Sequence, residues 1–352
     1  MKKLLLLCCL CVALSGCQGQ GSVSEPPSAS ETTATATEPQ TTTIYAMDTV
    51  MDVSVYTEDA AVLDEASALV TDLENRLSTT KTDSEISRLN HEGQASLSED
   101  TALLMDKALH FCEKTDGALD ISIYPVVRTW GFTTGEYKVP RQEELASLLA
   151  NVDYQKINFS KEDRAASLPG GMEVDLGSVA KGYTSDRLIQ LFRDNGATSA
   201  LVNLGGNVQA LGTKPDGSPW RVGIQDPHGE SYIGVLDIDN QAVITSGGYE
   251  RFFKGEDGTI YWHIIDPATG APAKNGLISA TAVGDEGAYC DALSTSLFIM
   301  GPDKAIDFWR AHQDFEMILI TEDNELLITP TLSKTFQLQD DAPYKMTVIN
   351  HD

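Results

Sequence analysis

The sequence predicts an α+β fold with largely antiparallel sheets. Three observations carry this expectation. Helical and strand periodicities come in mixed runs, without the regular strand–helix–strand alternation of a parallel sheet. Short alternating segments follow one another closely enough to pair as hairpins. Glycine-bearing turns divide them.

Order is expected from about Tyr45, where "MDVSVYT" alternates as a strand. Residues 58–77 place Val62, Ala66, Leu69, Val70, Leu73 and Leu77 at helical spacing, so an amphipathic helix follows. A second helix fits residues 98–115, with Leu103, Leu104, Ala108 and Phe111 on one face and "SLSED" supplying cap residues. "SVAKGYTSDRLIQLFRDN" (178–195) is a third, with Gly196 placed to end it in a left-handed turn. "SALVNLGGNVQALG" reads as strand, tight glycine turn and strand; "WRVGIQD", "YIGVLDID", "QAVITSG" and "YWHIID" read as further strands. Residues 286–300 and 302–312 are helical, and "FEMILIT" with "ELLITP" forms a closing hairpin.

The 352 residues carry a formal net charge of −27. That length suits one large or two ordinary domains. That charge makes the chain unsuited to coating nucleic acid, and no nucleic-acid partner is expected. An anionic ligand needs local devices: helix N-termini, a few Lys or Arg, or a metal.

The start, "MKKLLLLCCLCVALSGCQGQ", pairs a basic n-region with a short apolar stretch, Leu4 to Leu14, as a secretory signal does. "LSGC" resembles the bacterial lipobox, which implies cleavage after residue 16 and a lipid on Cys17, anchoring the protein to the outer side of the bacterial membrane. Residues 18–43 are rich in Ser, Thr, Pro and Glu and cannot bury a core, so residues 17–43 are expected to be a lipidated, disordered tether. Such a tether spans roughly 25–30 Å. Residues 44–352 form the functional domain. Of six cysteines only Cys112 and Cys290 remain in it; both fall in predicted helices and read as buried thiols, with pairing left open.

Five segments are more polar or glycine-rich than a core requires. "STTKTDSEISRLN" (78–90) reads as a capping loop. "DGALDISIYPVVRTWGF" (116–132) sets Asp120 among Tyr124, Pro125, Arg128 and Trp130, which suits either a flat heteroaromatic ligand or an ordinary core. "VDLGSVAKGYTSDRL" (174–188) leads glycine into a helix start with Lys181 in its first turns, the arrangement that holds a phosphate, although a plain helix start fits equally. It matches neither the Walker loop nor the dinucleotide fingerprint. "ITSGGYERFF…YWHIIDPATGAP" places His263 in a strand with Asp266 in the following turn, as catalyst and neighbour or as core and turn residues. In "DEGAYCDALSTSLFIMG" (285–301), Asp291 and Thr295 share one face of an otherwise apolar helix. They make either an internal hydrogen bond or two oxygen ligands for a hard cation such as Mg²⁺.

Taken in order, "DLGSVAKGY", "LVNLGGNVQALG", "TSGGYERFF", "HIIDPATG" and "DALST" resemble the FAD:protein FMN transferases, the ApbE family, from about Tyr45 to about Thr329. The resemblance implies an enzyme that takes FAD and Mg²⁺ and moves the FMN moiety onto a Thr or Ser hydroxyl of a target protein, releasing AMP. It implies tandem T-fold-like units, antiparallel sheets carrying paired helices, with FAD in a cleft between the halves. Carried over by motif, Asp291, Thr295 and the Ser178 carbonyl match metal ligands. Met47, Ala118, Leu119, Asp120, Asp175, Lys181, His263 and Ile264 match FAD contacts. Thr80 falls where many relatives carry an aromatic that stacks on the flavin, and "MDT" (47–49) departs from the commoner Met-Gly-Thr. A base must take the acceptor's proton. His263 leads that assignment, then Asp266, with Asp291 available where the metal does not occupy it. Implied acceptors are exported or membrane electron-transfer proteins with the hydroxyl in a short Asp- and Gly-containing motif. Three alternatives stay open: a FAD pyrophosphatase giving FMN and AMP, a flavin-binding lipoprotein without turnover, and a structural or adhesive surface protein that binds no flavin.

Overall fold

The computed structural model describes residues 38–351. The expected signal segment, Cys17 and most of the tether lie outside the described residues. Two strands open the fold, β1 (Gln40–Ala46) and β2 (Thr49–Val55). Helices α1 (Ala61–Leu77) and α2 (Glu85–Glu92) follow, then β3 (Gln94–Ser96) and α3 (Glu99–Lys114). The short helices α4 (Tyr124–Trp130) and α5 (Gln142–Leu149) and strands β4 (Asn158–Ser160) and β5 (Ala165–Ser167) lead into α6 (Gly177–Asp194). Next come β6 (Ala200–Leu204), β7 (Asn207–Leu211), β8 (Trp220–Gln225), β9 (Tyr232–Ile238), β10 (Ala242–Gly247), β11 (Phe252–Lys254), β12 (Ile260–Trp262) and β13 (Leu277–Gly284). Helices α7 (Gly287–Met300) and α8 (Pro302–His312) precede β14 (Glu316–Thr321), β15 (Glu325–Ile328), β16 (Phe336–Leu338) and β17 (Lys345–Val348).

Nine strands form the main sheet in the order β1-β2-β6-β7-β10-β13-β14-β15-β17. Neighbours are antiparallel up to β15, and β17 joins parallel to β15. The sheet contains the same pattern twice. β1 and β2, then α1 and α6, then β6 and β7 make one half; β10 and β13, then α7 and α8, then β14 and β15 make the other. These are the tandem antiparallel units with paired helices that the family resemblance implied; the periodicities alone gave only the α+β class. In the first half Val62, Ala66 and Val70 of α1 and Leu188 and Phe192 of α6 pack on Met51, Val53, Val202 and Leu204. In the second, Leu293 and Leu297 of α7 and Trp309 of α8 pack on Ile244, Ala280, Met317 and Leu319. The other sheet face is covered by β16-β9-β8, whose Val222, Ile224 and Leu236 meet Ile318 and Ile320. Successive β14 residues thus bury on opposite faces. This is why "MILI" is unbroken in apolar character: each fully buried side chain of this size contributes about 1.5–3 kcal/mol.

Three details depart from expectation. Strand β1 begins at Gln40, so order starts before the 43/44 boundary. Thr41 and Thr43 face outward, and Thr41–Thr43 pair with Asp52–Ser54 of β2. Ladder hydrogen bonds hold a Thr-rich run whose composition alone reads as tether. His263 lies one residue beyond β12 rather than inside a strand. The β14–β15 hairpin forms, but β16 and β17 extend the chain past it. Cys112 and Cys290 are buried, unpaired thiols, as the default reading held.

Candidate functional site

Helices α6 and α7, one from each half, cross at glycine. A Cβ on Gly182 would collide with the Gly287 backbone and with Asp291, and one on Gly287 would meet Ser185 and Gly182. Close approach lets polar groups bridge the two helices. The Gly182 N–H donates to Asp291 Oδ2 at 2.8 Å. The N-terminus of α7 lacks a cap side chain of its own. Asp186 of α6 supplies one: Oδ1 accepts from Gly287 N at 2.6 Å and Oδ2 from Ala288 N at 2.9 Å. The crossing thereby holds Asp291 only 4% exposed, beside the start of α6.

A cleft of about 630 Å³ opens over this crossing. It takes Ser178 and Lys181 from α6, Asp291 and Thr295 from α7, and Ser246 from β10. The β1–β2 turn adds Met47 and the loop before α4 adds Ala118, Leu119 and Asp120; Asp175, His263 and Ile264 complete the expected set. The structure therefore brings together eleven of the residues proposed from sequence. Two stay apart. Thr80 sits on the exposed loop after α1, where its N–H donates to Ser78 Oγ at 3.1 Å; it is not among the residues lining the cleft. This is the capping-loop reading of that segment. Asp266 is also outside the lining: its Oδ1 accepts from Ala268 N at 2.9 Å and its backbone closes the turn onto Ala271. A carboxylate committed to its own turn is poorly placed as a base.

Local structure explains each position. Met47 and Asp48 have φ of 50° and 58°, and Ala46 pairs with Thr49 across them, so a two-residue hairpin turn presents Met47. Its N–H is held by Glu74 Oε1 at 2.8 Å. Glu74 in turn pairs with Lys81. Asp120 accepts from Ser122 N at 2.8 Å, Ser122 Oγ at 2.6 Å and Tyr154 N at 3.1 Å, and so fixes the loop of Ala118 and Leu119. Tyr124 and Trp130, candidate ligand platforms from sequence, are core residues; the Trp130 indole donates to Gly270 O at 2.7 Å. Phe132 lines the cleft instead. Asp175 Oδ1 accepts from Gly177 N at 2.9 Å and shapes the turn into α6.

The cleft is rich in desolvated carboxylates. Burial raises Asp175, opposed by Arg251 and Lys181; burial also raises Asp291, opposed first by Lys181. Thr295 Oγ1 lies 3.3 Å from Ser246 Oγ. Asn207, also in the lining, sets its side-chain amide against Asp291 and helps pull that carboxyl back down, while the buried Thr133 Oγ1 has no hydrogen-bond partner among the described residues. Among the described residues no three His, Cys, Asp or Glu side chains converge as a metal cage. Mg²⁺ does not need one, because it binds through one or two carboxylates, waters and substrate phosphates. A carboxylate, a hydroxyl and a backbone carbonyl are hard oxygen donors of the required kind.

His263 is built as a neutral imidazole. Burial, with the nearby Arg251, pushes it down to about 4. Its Nδ1 lies 3.2 Å from the Arg251 carbonyl, and its N–H bonds the same oxygen at 3.1 Å. A carbonyl only accepts, so Nδ1 carries the proton and Nε2 keeps a lone pair. Asn207, Ser246, Glu250 and Arg251 also line the cleft. Their motifs, "LVNLGGNVQALG" and "TSGGYERFF", were visible in sequence without marking these side chains individually.

Comparison with known proteins agrees with this geometry. The ApbE family model matches residues 47–319. A FAD:protein FMN transferase of Haemophilus influenzae is 32% identical over 294 residues, covering 80% of this chain and 85% of its own. One of Treponema pallidum is 33% identical over 286 residues, covering 76% and 78%. Among solved structures, the ApbE protein of Thermotoga maritima superposes with a TM-score of 0.80 at 29% identity, covering 85% of this chain and 99% of that one. The flavin transferase ApbE of Vibrio cholerae gives 0.73 at 27%, covering 81% and 94%. Sequence, fold and cleft agree, and the chain belongs to the ApbE family.

Proposed function

We propose that this chain transfers the FMN moiety of FAD to a Thr or Ser hydroxyl of a protein acceptor. The oxygen forms a phosphoester with the FMN phosphorus, the pyrophosphate bond to AMP breaks, and the hydroxyl proton passes to a base. The observation that carries the reading is the convergence, in one cleft, of the α6 start, the Asp291–Thr295 pair of α7 and a neutral His263. Lys181 and Arg251 offset phosphate charge. His263 Nε2 accepts the hydroxyl proton, while Nδ1–H on the Arg251 carbonyl fixes the tautomer. Asp291, Thr295 and the Ser178 carbonyl would hold Mg²⁺. Bound there, Mg²⁺ supplies charge neutralisation on the pyrophosphate oxygens. The apolar wall of Ala118, Leu119, Phe132 and Ile264 suits the uncharged part of the substrate. The leader and lipobox of residues 1–17 support an exported protein anchored through Cys17 and acting outside the cell membrane. Among the described residues no helix is long and apolar enough to cross a membrane.

Chromatography of AMP released from FAD and Mg²⁺, with and without an apo-acceptor domain, tests the reading. AMP formed in step with acceptor supports it. Equal AMP without acceptor marks a pyrophosphatase instead, and no AMP under either condition overturns catalysis.

A further inference from the structure

The segment 78–90, read from sequence as a capping loop, ends in Asn90, which the cleft lining does not include. Asn90 sits in the last turn of α2. Its Nδ2 donates to the Val174 carbonyl at 2.8 Å, and its Oδ1 accepts from the Val174 N–H at 2.7 Å. Residues 172–176 belong to no helix or strand, yet Val174 and Leu176 are fully buried. Buried backbone groups need partners. Here one planar side-chain amide, with a donor and an acceptor side by side, meets both groups of a single residue as a neighbouring strand would.

The chain after Val174 enters the cleft. Asp175 N donates to Ile121 O at 2.8 Å, next to the loop of Leu119 and Asp120. Asp175 Oδ1 then accepts from Gly177 N, and the Leu176 carbonyl takes the N–H groups of Val179 and Ala180 at 3.0 and 2.8 Å, which starts α6. Asp175, Gly177 and Ser178 all line the cleft. The base that carries Asn90 is itself fixed. Ser84 caps α2 by accepting from Ser87 N at 2.9 Å, and Ile86 and Leu89 are fully buried. Gly93 ends α2 with φ of 74°, and its carbonyl accepts from Leu168 N at 2.8 Å. The connector from β5 to α6 is thus fastened to α2 at Leu168 and again at Val174, and Asn90 is the fastening nearer the site. Without its amide, both buried backbone groups of Val174 lose their partners and the entry to α6 is free to shift.

We propose that Asn90 is a positioning residue of the transfer site: acting through Val174, it fixes Asp175 and the Ser178 carbonyl where α6 meets the cleft. The proposal rests on this cleft being the FAD site. Its test compares wild type, Asn90→Leu and Asn90→Asp with Ile328→Ala, a core truncation on β15 outside the cleft lining. Leucine keeps the size and removes both bonds; aspartate keeps the acceptor and removes the donor. The readouts are amide hydrogen exchange, FAD affinity by fluorescence titration, and transfer to an apo-acceptor domain. In both Asn90 variants the amides of residues 174–180 should exchange about tenfold faster or more relative to those of α8. FAD binding should weaken about tenfold, and kcat should fall about 10–10²-fold, since small misplacements at a reacting centre cost that much. Ile328→Ala should lower the urea midpoint while FAD affinity and kcat stay at the wild-type values. Asn90 variants whose FAD affinity and kcat match those of Ile328→Ala overturn the proposal, as does exchange that rises equally in α8. A wild type that binds FAD but forms no adduct overturns the transferase reading alone, and FAD affinity with exchange still decides for or against Asn90. A wild type that binds no FAD overturns the site and the proposal together.

Discussion

Replacing Gly182 by alanine adds one methyl group where α6 and α7 touch. The new Cβ would overlap the Gly287 carbonyl and Asp291 Cβ. Backbone cannot rotate away as a side chain can, so the helices must separate. Overpacking of a tight core costs about 1–3 kcal/mol. Separation also stretches the 2.8 Å bond from Gly182 N to Asp291, a hydrogen bond to a charged group worth about 1.5–3 kcal/mol. Alanine's better helix propensity inside α6 returns about 1 kcal/mol, so Gly182→Ala should lose roughly 1.5–5 kcal/mol on balance, a large share of the 5–15 kcal/mol typical of a folded domain. Equilibrium urea unfolding reads this as a lower midpoint at unchanged slope. Gly170→Ala is the matched control: a Cβ there meets open space, and the change should be neutral or stabilising by up to about 1 kcal/mol. If Gly182→Ala unfolds at the same midpoint as Gly170→Ala, the helices do not cross at the distance described, and the account of how Asp291 is held fails.

Three further outcomes are expected. Asp48→Gly should stabilise the protein by about 1 kcal/mol in the same unfolding assay, because φ at Asp48 is 58° and glycine adopts that conformation without strain. His263→Gln should slow transfer by about 10²–10⁴-fold with FAD affinity retained, and the wild-type rate should show no acid limb from His263 above about pH 5, since its imidazole is held at about 4. Burial first, then Glu286, holds folded Asp186 at about 6. The folded state thus binds this proton more tightly than the unfolded chain, so Asp186's contribution to stability is greatest below its ordinary range, falls as pH rises from about 4 to 6, and is flat above. Asp186→Asn should remove that slope and cost roughly 1–3 kcal/mol at neutral pH, because one amide of the α7 N-terminus loses its acceptor; urea midpoints across pH measure both.

The helices that build the cleft were legible because they carry strong local signals. Residues 178–195 and 286–300 match α6 and α7 within a residue at each end, and the cap at Ser98 opens α3 as expected. Asp291 and Thr295 stood out because polar groups at i and i+4 interrupt an apolar helix. What escaped was set by tertiary pairing. Gln40–Thr43 is a strand only because β2 lies beside it. Strands β3, β4 and β5, three residues each, are too short to show a period. The α6–α7 crossing depends on Gly182 and Gly287, which are 105 positions apart and in sequence look like ordinary helix weakeners. The departure at Thr80 was visible as a missing aromatic, but only the structure places that loop outside the cleft lining.

The most direct measurement is the intact mass of an apo-acceptor domain incubated with FAD and the enzyme, with and without Mg²⁺, in wild type and Asp291→Ala. The account predicts a mass gain equal to one FMN phosphoester in wild type with Mg²⁺. That gain should be lost with chelator and fall at least about 100-fold in rate in the variant. An Asp291→Ala enzyme that modifies the acceptor at the wild-type rate would contradict the assignment of this cleft as the metal-assisted transfer site.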